Sequence, residues 1–288
     1  MPTRPTCGAR SPGGPREIDP SMSAVPRLRF SIITPSYNQV AFIGRTIDSV
    51  LGQTGEFDLD YRVIDGGSSD GTLDVLRGYG ARIAWVSERD RGQIDAINKG
   101  LRGATGDIVG WVNSDDVLLP GALARAAAAF TARPDAEWLH GRCRIIDEHD
   151  RTMRRWVSLY KHYRCRRHTF DNFLTENYVS QMTAFWRRRV HDEIGYLDPA
   201  LDLAFDYDLF LRLARRGAPI YLDDEIACFR MYGSSKSGAG FAAQLDQAVA
   251  ITARYRAPSA WLRLRTRAKK LAITNIYRAL RIARTVFG

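Results

Sequence analysis

Apolar and polar positions along the chain switch repeatedly between two periods. "RFSIITPSY" is a mostly apolar run closed at Pro35 and reads as a strand. Ile43, Ile47, Val50 and Leu51 then recur at helical spacing. "YRVID" reads as a strand, "GGSSDG" as a turn, and the chain through Val75 and Leu76 as a helix. The alternation continues with "IAWVSE" as a strand and "GQIDAINKGLRGA" as a glycine-ended helix. "DIVGWVN" is the fourth strand, and "PGALARAAAAF" is a helix with proline near its first turn. Strands alternating with helices at this spacing predict an α/β fold with a Rossmann-like, mainly parallel sheet flanked by helices.

The second half is less regular and predicts a mixed arrangement. "AEWLHGRCRIID" reads as a strand, and residues 150–168 form a basic, aromatic stretch without a clear period. "YVSQMTAFWRR" reads as a strand, followed by a short helix to Gly195. "DYDLFLRLARRG" has the apolar face of a helix in Leu209, Phe210 and Leu213, with Gly217 at its end. "PIYLDDEIACFRMY" reads as extended. Residues 1–27, rich in Pro, Gly, Ser and Arg, carry no apolar period and are expected to be disordered.

Charge changes this picture only at one end. The chain of 288 residues has a formal charge of +10, yet from Ile251 onward there are ten Lys and Arg and no acid. The remaining body has 32 bases against 32 acids, so a nucleic-acid role is not expected. A helix over 259–287 would set Arg263, Arg267, Lys270, Arg278 and Arg281 on one side and Trp261, Leu264, Leu271 and Ile282 broadly on the other. Such a basic amphipathic tail suits either an anionic membrane surface or packing on the body or on a second subunit. No run approaches the roughly 18–20 apolar residues of a membrane span, and the N-terminus lacks a secretory apolar core. The scattered Cys7, Cys143, Cys165 and Cys228 form no CxxC. The expected location is therefore cytoplasmic, peripheral on the inner face of the cell membrane if the tail docks there.

The candidate chemistry lies where the first four strands end: Thr34 to Asn38, Asp65 to Ser69, Ser87 to Asp90, and Asn113 to Asp116. In parallel sheets ligands bind beyond the carboxyl ends of the strands. Asp115 and Asp116 could hold Mg²⁺ or Mn²⁺, or could complement the dipole of the helix that Asn113 or Ser114 caps. Asp65 could accept a hydrogen bond from a nucleobase, or organise a tight turn. There is neither a GxGxxG after a strand nor a P-loop.

"SIITPSYNQ", "VIDGGSSDGT", "SERDRGQIDAINKGL", "GDIVGWVNSDDVLLPGAL" and "FDYDLFLRLARRG" occur in that order. Together, over about residues 29–240, the chain resembles a family 2 glycosyltransferase of the GT-A type. The resemblance implies a nucleotide-diphospho-sugar donor, a divalent metal and an inverting single displacement onto an acceptor hydroxyl. The acceptor class is a glycan, a glycolipid or a lipid-linked saccharide. By position it implies Thr34, Pro35 and Tyr37 around the nucleotide, with Asp65 on its base. It further implies Gln93 and Ser114 near the donor, Asp115 bridging ribose and metal, and Asp116 as a direct metal ligand. Glu88, Asp90 and Asp95 fall in a polar loop and helix near the donor, although a solvated helix face also explains Asp95. Asp206 is the implied base, with Asp208 as runner-up, and Trp186 either shapes the acceptor pocket or is a core residue.

One position departs from that pattern. Relatives often carry R-x-H-x-x-S-K after the last strand, whereas this chain has Tyr232 at the histidine position in "FRMYGSSKSG". A neutral phenol is a poor ligand for Mg²⁺, although Ser234, Ser235 and Lys236 could still touch the diphosphate. The organisation expected is a nucleotide-sugar-binding half over 28–135, an acceptor-binding half over 136–250 and the basic helical tail over 251–288. The alternatives are a non-catalytic nucleotide-sugar binder and a sugar nucleotidyltransferase. The latter would want a Gly- and Arg-rich phosphate loop after the first strand, and "TPSYNQ" is not one.

Overall fold

A computed structural model of the protein describes residues 27–233 and 241–255. The N-terminal tail before Arg27, Ser234, Ser235, Lys236 and the predicted helix over 259–287 lie outside the described residues. The alternation read from the first half is present as β1 (Leu28–Ser36), α1 (Ile43–Leu51), β2 (Phe57–Asp65), α2 (Thr72–Gly78), β3 (Ala84–Ser87), α3 (Gln93–Gly103) and β4 (Ile108–Trp111). A two-residue strand, β5 (Val117–Leu118), precedes α4 (Ala122–Ala132). The second half contains β6 (Trp138–Ile146), α5 (Arg155–Cys165), α6 (Phe170–Phe173), β7 (Phe185–Arg187), α7 (His191–Ile194), α8 (Phe205–Arg216), β8 (Ile220–Arg230) and α9 (Phe241–Ala253).

All eight strands join one sheet in the order β3-β2-β1-β4-β7-β6-β8-β5. β1 pairs in parallel with β2 and β4, β2 with β3, and β6 with β8. Only β7 and β5 run against their neighbours. The carboxyl ends of β1 to β4 therefore share one edge. Alternation along the strands feeds two cores: Phe30, Ile32 and Ile108 face α1 and α4, while Ile33, Val109 and Trp111 face α3 and α8. Among the described residues no helix is long and apolar enough to cross a membrane.

Three elements differ from the sequence expectation. The strand expected over 178–188 shrinks to Phe185–Arg187. Gln181–Thr183 instead form a 3₁₀ turn, because Thr183 Oγ1 bonds back to Ser180 O and Gln181 Nε2 donates to Trp111 O. The basic stretch is a helix, α5, whose period is obscured because four of its large apolar residues point outward. α9 crosses the boundary expected between 250 and 251. It is anchored by Gln247 Oε1, which accepts from the N–H groups of Leu203 and Ala204 just before α8.

Candidate active site

The strand ends are stitched into one surface by backbone and short polar side chains. Gly66 N donates to Ser36 O, Glu88 N to Asp65 O, and Val112 N to Ile33 O. Asp65, fully buried, is the hub of the β2–α2 turn. Its Oδ2 accepts from Gly67 N, Ser68 N and Ser87 Oγ, and its Oδ1 accepts from Ser68 Oγ. Gly67 sits at φ 85°, a conformation that glycine adopts without steric cost. Four donors hold this carboxylate, three on Oδ2 and one on Oδ1, and it organises the turn. Thr34 is likewise sealed in, with its hydroxyl 3.0 Å from Tyr61 OH, and Pro35 is buried. Of the first strand's candidates only Tyr37 is open, at 61% exposure.

The sequence reading gave Asp90 a minor place, and the fold brings it forward. Its carboxylate lies over the backbone of Gly66, so that a Cβ placed on that glycine would stand 2.8 Å from Asp90 Oδ2. Asp90 Oδ1 accepts from Gly92 N, and the side chain is partly exposed at the strand-end surface. Asp95 is engaged locally: it accepts from Arg91 N and pairs with Arg91 and Lys99. Glu88 also pairs with Lys99. Gln93, at the start of α3, donates to Asn113 Oδ1 at 2.9 Å, tying α3 to the turn after β4.

Within that turn the two adjacent acids have opposite surroundings. Asp116 is 0% exposed; Oδ1 accepts from Arg230 N and Oδ2 from Asn113 Nδ2, both at 3.0 Å. Its backbone oxygen takes the Thr46 hydroxyl. Burial, with the neighbouring Asp115 charge added, pushes its carboxyl well above the usual range. Asp115 is partly exposed, and its Oδ2 accepts from Tyr232 OH at 3.0 Å. Burial raises this carboxyl too, and the Tyr232 hydrogen bond opposes the rise. Ser114, just before them, is buried. Asp115 presents the more accessible carboxylate of the two, and Asp116 is held in the turn by one donor on each oxygen. Mg²⁺ and Mn²⁺ commonly bind through one or two carboxylates completed by phosphates and water, which Asp115 fits. Among the described residues no three His, Cys, Asp or Glu side chains cluster as a metal cage.

Arg230 was not singled out in the sequence, and it holds this turn. Its side chain is 2% exposed, and Nε donates to Asp115 O, Nη1 to Asp147 O and Nη2 to Asp150 Oδ1. Its guanidinium stands 4.9 Å from the Phe42 ring centre, and Phe42 packs on Tyr232. Burial and then the Asp115 charge push the Tyr232 phenol up to about 12, so it stays protonated and donates to Asp115. A basic side chain closing the apolar run Ile226, Ala227, Cys228 and Phe229 was the available sequence signal.

The acceptor-side candidate stands at the start of α8. Asp206 Oδ1 accepts from Tyr207 N at 2.7 Å, and Asn177 Nδ2 lies 3.4 Å from Oδ2. Burial raises this carboxyl; the Tyr207 N–H and the positive charge of Lys161 work against the rise. Lys161, on α5, donates to Ser180 Oγ in the same loop as Asn177. That loop reaches the β4 edge through Gln181, and Phe205 packs against Trp111, which ends β4. Asp208, the runner-up, is 4% exposed and bound by Arg212 at 2.9 Å. Trp186 is a core residue: fully buried, edge-on to Trp111 and bonded to His191 Nε2.

Two partly exposed carboxylates, one beside the end of β4 and one at the start of α8, lie at the carboxyl edge of the sheet, where α/β enzymes bind their ligands. The sequence pattern described as glycosyl transferase family 2 matches residues 31–195, more than half the chain. The protein belongs to that family. A PGL/p-HBAD biosynthesis glycosyltransferase of Mycobacterium bovis is 28% identical over 216 residues, covering 71% of this chain and 77% of that one. An uncharacterized glycosyltransferase of Nostoc sp. is 32% identical over 130 residues, and the aligned part spans only 44% of this chain and 40% of its own length. Among solved structures, residues 1–349 of Staphylococcus aureus TarS in complex with UDP-GlcNAc superpose with a TM-score of 0.61 at 19% identity, covering 78% of this chain and 66% of that one. The mannosyltransferase PcManGT of Pyrobaculum calidifontis, in complex with GDP-Man and Mn²⁺, gives 0.60 at 18% identity, covering 89% and 81%. The fold is thus GT-A, as the resemblance implied.

Proposed function

We propose that this chain moves a sugar from a nucleoside-diphospho-sugar to an acceptor hydroxyl, with inversion at the anomeric carbon. The observation that carries the reading is the pair of partly exposed carboxylates at one sheet edge, both raised by burial. Asp115 stands beside the end of β4, and Asp206 stands across the β4–α8 contact. The nucleotide sugars held by TarS and PcManGT support the donor class.

In this reading Asp115 would hold a divalent ion, Mg²⁺ or Mn²⁺, with Asp116, Arg230 and Asn113 keeping its turn in place. When bound, such an ion supplies Lewis-acid stabilisation to the diphosphate leaving group. Asp90, reaching over Gly66, takes the acceptor role towards the nucleotide with Asp65 holding the turn behind it, while Tyr37 offers an open ring. Gln93 and Ser114 frame the donor's sugar side. Asp206 accepts the proton of the acceptor hydroxyl as the oxygen attacks, and its raised carboxyl makes it a stronger base than an ordinary aspartate. Asn177 orients it. The acceptor is a glycan, a glycolipid or a lipid-linked saccharide. A half over 28–135 that binds donor and a half over 136–250 that binds acceptor follow from this division of labour.

The test combines binding with turnover. A thermal-shift screen of UDP-, GDP- and dTDP-sugars, with and without Mn²⁺, identifies the donor by its stabilisation of the fold. Turnover should release nucleoside diphosphate. Pyrophosphate would point to a nucleotidyltransferase, and no release of either to a binder. Asp206→Asn should keep the donor-induced shift and lower transfer by about 10²–10⁴-fold, the usual contribution of a general base. Unchanged transfer in that variant would remove Asp206 from the mechanism.

A further inference from the structure

Among the described residues, half of the exposed large apolar side chains lie on the outer face of α5. Trp156, Leu159, Tyr160 and Tyr163 are 55%, 59%, 43% and 51% exposed. Their spacing of i, i+3, i+4 and i+7 aligns them along one side of the helix. Four large apolar side chains on one exposed helix face are more than the scattered surface residues of an ordinary soluble domain. The inner face is held firmly. His162 Nδ1 is bonded to Tyr221 OH, Cys165 is buried beside Tyr178, and Lys161 reaches Ser180. The helix cannot bury its outer residues by rolling over.

Charge identifies what would cover this face. From Arg151 to His168 there are seven Lys and Arg and no acid. Arg166 and Arg164 are compensated by Asp223 and Glu176 from other segments. Arg155 and Arg167 lie on the exposed side, and Arg167 stands 4.1 Å over the Tyr163 ring. Aromatic rings interleaved with cations on one helix face are the chemistry of the bilayer interface. There the rings sit at headgroup level and the cations meet anionic lipid. A second copy of this chain docking face to face would set two such cationic stripes against each other.

We propose that α5 is an interfacial helix that seats the protein on an anionic lipid surface through Trp156, Leu159, Tyr160 and Tyr163, with Arg155 and Arg167 at the headgroups. The docking stands apart from the catalytic reading. Its consequence, that the acceptor is presented on a lipid carrier, rests on that reading, because Lys161 on the inner face of α5 bonds Ser180 in the loop whose Asn177 lies beside Asp206. Docking α5 therefore sets the acceptor side of the site close to the membrane.

The test reads α5 locally, so that binding by any other basic segment of the chain cannot mimic it. In the full chain carrying Cys7→Ser, Leu159→Cys is labelled with an environment-sensitive fluorophore; the parent with Cys7→Ser alone controls for the remaining cysteines. Vesicles of equal parts phosphatidylcholine and phosphatidylglycerol should blue-shift the probe, phosphatidylcholine alone should not, and high salt should reverse the shift. In a second variant, Trp156→Ser with Tyr163→Ser, the lipid needed for half-binding should rise about tenfold. Its melting temperature should stay close to the parent's, since both residues are exposed. An unshifted probe while the protein sediments with vesicles would overturn the proposal, as would a shift that needs no lipid and grows with protein concentration, which would mean self-association. The donor-induced thermal shift is measured on the same proteins. Its absence in the parent would sink the transferase reading and leave the docking result standing.

Discussion

Asp115 and Asp116 are adjacent, chemically identical and expected to respond in opposite ways to the same substitution. In Asp116→Asn the amide oxygen can keep the Arg230 N–H, but its NH₂ then faces Asn113 Nδ2, two donors where the carboxylate accepted at 3.0 Å. Turning the Asn113 amide moves the mismatch to Gln93, whose Nε2 now donates to Asn113 Oδ1. One unmet donor in a site with 0% exposure costs about 1–3 kcal/mol. Removing a carboxyl that burial already disfavours as an anion returns part of that, so a net loss of about 1–2 kcal/mol is expected. For a domain of this size the melting temperature should fall by about 2–8 °C. The stabilisation by Mn²⁺ with nucleoside diphosphate should survive, weakened only as the turn loosens. Asp115→Asn, at a partly exposed carboxylate, should melt near the parent's temperature and lose that stabilisation. Differential scanning fluorimetry of the two variants and the parent, with UDP or GDP and with or without Mn²⁺, reads both outcomes at once. If Asp116→Asn melted like the parent yet lost the Mn²⁺ response, while Asp115→Asn retained it, the division of roles argued from burial would be wrong.

Three further expectations can be checked with single variants. Because burial raises the Asp206 carboxyl, kcat/KM should fall on the acid side at a higher pH than an ordinary aspartate would give. Lys161→Met removes a charge that lowers that pKa, so it should move the limb further up; an unmoved limb would separate Lys161 from Asp206. His140 is fully buried, neither ring nitrogen has a hydrogen-bond partner among the described residues, and burial pushes its pKa down to about 3. Its contribution to stability is then complete above the unfolded value of 6.5 and is lost towards pH about 3, at about 1.4 kcal/mol per pH unit. His140→Phe should flatten that part of the stability–pH curve, and an unchanged slope would assign the acid sensitivity to carboxylates instead. Arg230→Met leaves three acceptors without their buried donor and should cost about 3–5 kcal/mol, with loss of the donor response. Parent-like melting would contradict the bracing role.

The parallel half of the fold was legible because its strands and helices each bury one continuous face, and such faces leave clean periods. Ile43, Ile47 and Val50 are fully buried as their spacing predicts. Where burial is two-sided or reversed the pattern fails. α5 turns its large residues outward, and α9 is rich in alanine and docks through Gln244, Gln247 and the buried Ile251. The gathering of the first four strand ends at one edge was legible for the same topological reason. The division of labour within it was not, because a motif does not say which of two neighbouring acids faces inward. Asp65 and Asp116 carry the motif's signature and are sealed by donors from Ser68, Ser87, Asn113 and Arg230. Asp90 is recognisable only once the chain folds it over Gly66.

Those donors also explain why the Asp115–Asp116 turn cannot be understood within the first half of the chain. Asp116 Oδ1 and Asp115 O are both bonded by Arg230, and Asp115 Oδ2 is bonded by Tyr232, residues more than a hundred positions later in sequence. β8 is held beside the turn by the short β5 pairing, Val117 with Cys228 and Leu118 with Ala227. β5 thus does more than lengthen the sheet: it brings the end of β8 to the candidate metal ligand. The Tyr232 hydroxyl then satisfies Asp115 in the absence of a cation, and an arriving ion competes for an oxygen that already has a partner. A histidine at this position could donate a lone pair to the ion, whereas a protonated phenol can only donate its hydrogen bond to the carboxylate. With Asp115 as the proposed cation ligand, affinity would follow how readily Asp115 exchanges Tyr232 for metal, and Tyr232→Phe should lower the Mn²⁺ concentration needed for the thermal shift.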